Sequence, residues 1–552
     1  MGCNFAGGWA ILRPEIRSSH SLFVLDASMI VGRSQPESVT ITKLFPAGAE
    51  RAIAIGIILV GFYFRSANIF DQAPVSTDDY YYVTWPKEML AGSGFPGIMK
   101  PLWVTMVAMG NLVMGYRLYV AALLSAFCGT LIVAVMYRLG SRLFGRSTGL
   151  YAGVLSASLL TYIHLSRWSQ GHMTSMLLIL SAALLYEEGA RSPSRRAIYL
   201  GLSGMLVGAS LYVHAIFMSM VPLLLLWAIG DGVANLRRHG SFKEAIAGPL
   251  FLTTGIGLSI IAPEMIVRLA RISGVNAASW MGGLYETIFR FPSNLATGNS
   301  FDLQALLAYV HVFSENEGII MTFAVALGTG MLAWQAWKSR SGSVLRGISI
   351  LIFTFFWLEI STVVSGVQMD KFVTGLLPGV PLVLGYLLAR VARTISVIQP
   401  TNWHVGRSAM VQVVVVCGLV AGWGYWHSKA RIEWTTGHND AYVLVQRLRP
   451  ERIFYSGSIW DFHFGGMANA LAFDSGGFEK PSKLSGQDVV IVTRPGGCED
   501  NQKASYDLVG FQSSGLHLIA SLPAFDHTLR HDISPTLAEL GKSICHAVYS
   551  FR

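Results

Sequence analysis

The sequence predicts an α-helical polytopic membrane protein, with about eleven transmembrane helices and a small α/β domain at its C-terminal end. Composition is the first observation behind this: 52% of the 552 residues are hydrophobic and 13% are charged, with a mean hydropathy of +0.47. Soluble domains carry about 25% charged residues. The second is recurrence, because apolar runs near the roughly 20 residues that cross a bilayer follow one another from residue 47 to 427. The third is a change of pattern beyond that point, where short β-type runs alternate with Gly-, Ser- and Pro-rich turns.

In chain order, residues 1–45 hold two apolar stretches: Phe5 to Leu12, which is short, and Ser21 to Gly32, which Asp26 interrupts. Neither fits a cleavable signal peptide, so the segment reads as a disordered cytoplasmic arm. Ala6 stands where an N-myristoylation site needs Ser or Thr. Eleven apolar runs then follow, at roughly 47–65, 118–137, 147–164, 170–187, 197–214, 216–232, 245–266, 318–336, 346–365, 372–390 and 408–427. The first is the weakest: its strictly apolar core spans only Ala52 to Phe64, and Arg65 is expected to snorkel to the interface.

Positive charge marks alternate loops, through Arg138/Arg142/Arg146, Arg191/Arg195/Arg196, Arg237/Arg238/Lys243, Lys338/Arg340/Arg346 and Arg390/Arg393/Arg407. The positive-inside rule makes those loops and the N-terminus cytoplasmic. Loop 66–117, loop 267–317 and the tail then face outward. The chain thus divides into the arm 1–45, a transmembrane domain 46–427 and an extracytoplasmic α/β domain 428–552. Strands of that last domain are expected at Arg452 to Tyr455, Asp488 to Val492 and Leu516 to Ala520. The net charge of +9 is dispersed among the loops and forms no continuous basic face, which argues against a nucleic-acid partner. Cysteines 3, 128, 417, 498 and 545 lack metal-type spacing, and only Cys498 and Cys545 share a domain in which one disulfide is able to form.

The first outer loop carries the strongest chemical signal. Asp78-Asp79 opens an aromatic run containing Tyr82 and Trp85, closed by Lys100-Pro101-Leu102. Tyr80 to Leu90 and Leu102 to Met114 read as two helices lying along the outer leaflet, so the carboxylate pair sits at the membrane surface, where a lipid head group is presented. Ionisable groups near lipid are costly and tend to be kept for function.

These residues resemble a known family. The acidic pair, the Tyr four positions after Asp78, the Lys87-Glu88-Met89-Leu90 run, Lys100-Pro101-Leu102 and Gly115-x-Arg117 are similar to the GT-C membrane glycosyltransferases. The subgroup is that of the protein mannosyltransferases and the bacterial aminoarabinose lipid A transferases. Ser166-Arg167 and Lys371-Phe372, the latter followed by Pro378 and Pro381, resemble further features of it, and the likeness covers roughly residues 50–430. Two departures stand out: Leu102 replaces the second proline after the lysine, and His214 stands where many relatives have Lys.

The resemblance implies transfer of a sugar from a polyprenyl-phosphate donor to a lipid, glycan or protein acceptor on the outer face of a plasma (bacterial inner) membrane, with inversion. An acceptor that loses a proton needs a general base, which assigns Asp78, with Asp79 as runner-up and as a like charge beside it. The departing lipid phosphate needs cations, which assigns Lys100, Arg167 and Lys371; a guanidinium fork and an ammonium both suit phosphate. Tyr82, His172, His214 and Glu264 join them as possible substrate-binding residues. No cofactor is implied beyond the donor lipid itself, no metal site is assigned, and a divalent cation stays compatible with the chemistry.

Each residue has a plainer reading. The aspartates suit a helix N-terminus, Lys100 an interface anchor, Arg167 a snorkelling side chain, Lys371 a partner for Asp370, and Arg117 a packing residue. Glu264 has Arg268 one helical turn away. His164 and His172, eight apart, match no metal spacing, and His527 and His531 lie between Pro523 and Pro535 and read as part of a solvated loop. P-loop, G-x-G-x-x-G, H-E-x-x-H and G-x-S-x-G motifs do not occur in a supporting context. A transporter or flippase is the alternative, but the sequence shows no paired halves, and its ionisable residues gather at the outer ends of spans.

Overall fold

A computed structural model describes residues 47–67, 69–71, 77–90, 100–117, 119–274, 279–285, 310–311, 313–314, 316–339, 341–365, 375–398, 418, 422, 438–456, 469–472, 487–495, 516–524 and 544–551. Its helices are α1 (Ala47–Ser66), α2 (Thr77–Leu90), α3 (Pro101–Met114), α4 (Tyr119–Phe144), α5 (Arg146–Ser158), α6 (Leu160–Ser166), α7 (His172–Arg191), α8 (Arg196–Val213), α9 (Met220–His239) and α10 (Phe242–Ile272). After these come α11 (Trp280–Tyr285), α12 (Ile319–Ser339), α13 (Gly342–Ser365), α14 (Val380–Ile398) and α15 (His438–Leu448). Helices stand at ten of the eleven predicted span positions, α5 and α6 together filling one. The eleventh, 408–427, lies outside the described residues except for 418 and 422, as does the arm 1–45. Among the described residues six helices are long and apolar enough to cross a membrane, or seven if α5 and α6 count as one bent span. This is a multi-pass membrane protein, with large apolar side chains such as Ile266, Ile320 and Phe323 on its outside.

Small residues let the helices approach. A Cβ placed on Gly204, Gly208 or Gly255 would collide with the facing helix, so α8 and α10 run backbone against backbone. Gly149 does the same for α5 against α4. At the end of α7 away from His172, Arg346 bridges Glu187 (2.5 Å) and Asp231 (3.0 Å), and Asp231 accepts from the Tyr186 hydroxyl at 2.8 Å. Charges taken out of water are tolerated only when paired in this way.

The bundle's main irregularity is the junction of α5 and α6, whose axes differ by 57°. Leu159 between them is extended (φ −60°, ψ 130°), which interrupts the helical hydrogen bonds on both sides. Backbone at membrane depth must find partners within the protein. On the α5 side the Arg65 guanidinium donates to the carbonyls of Ser156 (2.5 Å) and Ala157 (3.1 Å). On the α6 side the Glu317 carboxylate accepts from the amides of Leu160 (3.2 Å) and Thr161 (2.6 Å) and from the Thr161 hydroxyl (2.6 Å). A cation thus caps the carbonyl end of one half-helix and an anion the amide end of the other, each on the favoured side of the helix dipole.

Arg65 therefore corrects its sequence reading. It does not snorkel: its exposure is 0%, and it also donates to Gly61 O (2.8 Å) and Ser166 Oγ (3.1 Å). The carbonyls released by the break outcompete the distant interface as partners for a guanidinium with five donors.

Among the described residues of the C-terminal region five strands form one sheet: β1 (Arg452–Ser456), β2 (Ala470–Ala472), β3 (Asp488–Pro495), β4 (Leu516–Ala524) and β5 (Ile544–Phe551), in the order β2-β1-β3-β5-β4. The β2, β1 and β3 strands are parallel, and β5 is antiparallel to β3 and β4. Alternate residues Ile453, Tyr455, Val489 and Ile491 pack with Ala441 and Val445 of α15. Arg452 donates twice to Asp488 (3.0 and 2.6 Å), which raises the arginine's proton affinity further above its ordinary value. Cys545 lies on β5, and Cys498, with which the sequence leaves a disulfide open, falls outside the described residues.

Candidate active site

Three segments converge where the α1–α4 connection meets the turn 167–171. Helix α2 begins at Thr77, which places Asp78 and Asp79 in its first turn, where the helix dipole favours carboxylates. Their side chains lie outside the described set. One turn on, Tyr82 is buried and meets Trp85 edge-to-face at 5.7 Å between ring centroids.

Lys100 ends the connection to α3, and its Nζ stands 4.4 Å from the centroid of the Tyr82 ring and donates to Gln170 O at 3.4 Å. A single ammonium thus ties α2 to the turn after α6. The backbone of Lys100 is left-handed (φ 71°, ψ 52°) immediately before Pro101. A side chain rarely adopts that region, and such strain clusters at functional positions. Trp103, on the first turn of α3, donates its indole N–H to Ser169 O at 2.6 Å and lies against Gly171, where a Cβ would come within 2.8 Å of the ring. The left-handed φ of 77° at Gly171 and this close approach both require glycine.

Arg167 follows α6 directly and is 2% exposed, so it is no snorkelling residue. Its Nη1 donates to the carbonyls of Arg65 (3.2 Å) and Ala67 (2.7 Å), at the C-terminal end of α1. Of the three predicted phosphate ligands, Arg167 opens the turn 167–171 and Lys100 bonds to Gln170 within it. The third, Lys371, lies outside the described residues.

Histidines follow the turn 167–171. His172 opens α7, and its ring meets that of His214, at the end of α8, edge-on at 4.2 Å. Trp168 stands between His164 (5.2 Å) and His172 (6.3 Å). His214 Nδ1 accepts from the Ile216 amide at 3.2 Å, which leaves Nε2 to carry the proton of the neutral ring. Among the described residues no three His, Cys, Asp or Glu side chains converge on a point fit for a metal.

Glu264 is engaged elsewhere: it accepts from Ser279 Oγ (2.9 Å) and the Met281 amide (3.1 Å) and pairs with Arg268 (3.5 Å). It caps the start of α11. Sequence reasoning had no signal for Gln170, Trp103 or Glu317. For Arg65 it had one, since a charge closing an apolar run faces the protein interior more often than lipid.

Residues 100–266 match the dolichyl-phosphate-mannose-protein mannosyltransferase family, a stretch that begins at Lys100 and includes Arg167, His172, His214 and Glu264. Among curated protein sequences none matches the chain. Among solved structures, apo ArnT from Cupriavidus metallidurans superposes with a TM-score of 0.53 at 13% identity, over 90% of this chain and 98% of that one. This is a GT-C membrane fold. The same ArnT bound to undecaprenyl phosphate superposes at 0.51 and 13% identity, over 91% and 98% of the two chains. The Archaeoglobus fulgidus oligosaccharyltransferase in its apo form also shares the GT-C frame, at 0.51 and 11% identity over 78% of this chain. This chain spans 65% of that enzyme's length.

Proposed function

We propose that the chain is a glycosyltransferase that moves a sugar from a polyprenyl-phosphate donor to an acceptor on the extracytoplasmic face, using eleven spans with the N-terminus inside and the α/β domain outside. The observation that supports this reading best is the bond of Lys100, whose ammonium stands against the ring of Tyr82 on the helix that opens with Asp78 and Asp79, to Gln170 in the turn that Arg167 begins. Two cations near one buried corner suit a phosphate whose negative charge grows as the sugar leaves. A carboxylate in the first turn of α2 is able to take the acceptor's proton as it attacks the anomeric carbon. The proton passes to the carboxylate, the glycosidic bond to phosphate breaks, and the lipid phosphate leaves with the electron pair. Lys371 is the third cation, and His172, His214 and Tyr82 shape the wall against which the sugar or acceptor rests.

The fold likeness to ArnT, whose complex holds undecaprenyl phosphate, supports the donor class. The test is transfer from a radiolabelled polyprenyl-phosphate sugar in membranes, wild type against Asp78→Asn. Loss of transfer of about 10²–10⁴-fold is expected for removal of a general base, and undiminished transfer would remove Asp78 from that role. Repeating the assay with EDTA decides whether a divalent cation takes part.

A further inference from the structure

We propose that Glu317 is a positioning residue for Arg167, acting through the half-helix α6; this rests on the reading of Arg167 as a ligand for the donor's lipid phosphate. Seven residues are too few to hold a helix by their own hydrogen bonds. Helix α6 is therefore placed by what grips it. Glu317 takes the first two amides at its start, together with the Thr161 hydroxyl. Midway, the Tyr162 hydroxyl donates to Leu377 O at 2.6 Å, three residues before α14. Near its end Ser166 Oγ donates to Tyr162 O and accepts from Arg65 Nε. Arg167 is the next residue, and its reach is set by the direction in which α6 points.

Glu317 is the strongest of these grips. It is 1% exposed, all three of its hydrogen bonds go to α6, and a carboxylate bonding to amides at a helix start gains from both charge and dipole. It also stands two residues before α12, at the end of the second predicted outer loop. The rim on which an acceptor would land is thereby joined to the phosphate-binding corner by one carboxylate. Loosening that bond lets α6 tilt about the break at Leu159 and carries Arg167 off its carbonyl partners.

The experiment uses the full chain in lipid nanodiscs and measures binding of undecaprenyl phosphate, with hydrogen exchange followed over residues 159–166. Glu317→Gln keeps size but removes the charge and one acceptor; it is expected to weaken binding about tenfold, on the scale of one charge-assisted hydrogen bond. Exchange at α6 should rise while α7 and α8 stay protected. Adding Glu317→Gln to Arg167→Ala should cost nothing beyond Arg167→Ala alone, because both act through one contact. Thr161→Val, which removes one donor and leaves both amide bonds, covers the case in which Glu317→Gln does not fold, with a loss of about two- to threefold expected. Wild-type binding by Glu317→Gln, or by Thr161→Val where only that variant folds, overturns the positioning role while leaving Arg167 as a ligand. Wild-type binding by Arg167→Ala instead overturns the functional reading on which the inference stands.

Discussion

Arg65 and Arg167 interlock. The side chain of Arg65 crosses to the carbonyls of Ser156 and Ala157 and to the Ser166 hydroxyl, and Arg167 returns to donate to the carbonyl of Arg65 itself. Two like charges packed this closely repel unless each is surrounded by acceptors, and here the acceptors are backbone oxygens freed by a helix break and a helix end. The consequence is that α1, the break and the candidate phosphate corner are tied together by one set of hydrogen bonds.

Replacement of Arg65 by Met tests that coupling. Met fills a similar length but leaves the Ser156 and Ala157 carbonyls without a donor in a dry interior. Each buried acceptor left unmade costs about 1–3 kcal/mol. Thermal unfolding of the purified protein should show a large drop for Arg65→Met, and sugar transfer should fall with it because Arg167 loses its seat. A variant as stable as the wild type would mean that water or a rearranged backbone satisfies the break.

Gly129 on α4 should be nearly as sensitive. A Cβ there would collide with the Ser166 hydroxyl and would stand 3.1 Å from Arg65 Nε. Overpacking of this kind typically costs about 1–3 kcal/mol. Gly129→Ala is expected to lower the unfolding temperature, whereas Gly201→Ala, where a Cβ meets nothing within 4 Å, should leave it unchanged or raised. Equal behaviour of the two alanine variants would contradict the packing at the Arg65–Ser166 pair.

The two aspartates separate by their place on α2. Asp78 stands one turn before Tyr82, whose ring lies under Lys100, whereas Asp79 is rotated by about 100° around the helix. Asp78→Asn should therefore lose transfer by about 10²–10⁴-fold, and Asp79→Asn by much less. Initial rates with a radiolabelled polyprenyl-phosphate sugar decide it, and the reverse order of losses would exchange the two roles.

These contrasts also show where the sequence was informative. Class and helix positions were legible because they depend on apolar runs and flanking charges, which are local. The first outer loop was legible for the same reason: Asp78, Tyr82 and Lys100 lie within 23 residues, and α2 and α3 were expected where they stand. The break at Leu159 was not, since Ser156 to Ile163 contains neither Gly nor Pro and reads as a continuous helix. What stabilises it is remote, Arg65 from 91 residues upstream and Glu317 from 156 residues downstream. Partners at such separations leave no periodicity to read. The sequence reading of Arg65 as an interface residue fails for this reason, and nothing local to Glu317 singles it out.

Lys100 offers a prediction in which stability and activity part company. Its left-handed backbone before a proline is strained, and such positions cost about 1–3 kcal/mol for a side-chain-bearing residue. Lys100→Ala keeps the strain and removes the ammonium; Lys100→Gly removes both. The glycine variant should therefore be the more stable of the two in thermal unfolding, by about 1 kcal/mol, while both lose transfer alike because neither presents a cation to the leaving phosphate. Saturation with donor separates the causes further: a lost phosphate ligand that acts mainly as charge develops lowers kcat more than it raises KM. If Lys100→Gly retained full transfer, the lysine would be an anchor between Tyr82 and Gln170 and no more. If the alanine and glycine variants unfolded together, the strain assigned to this position would be absent.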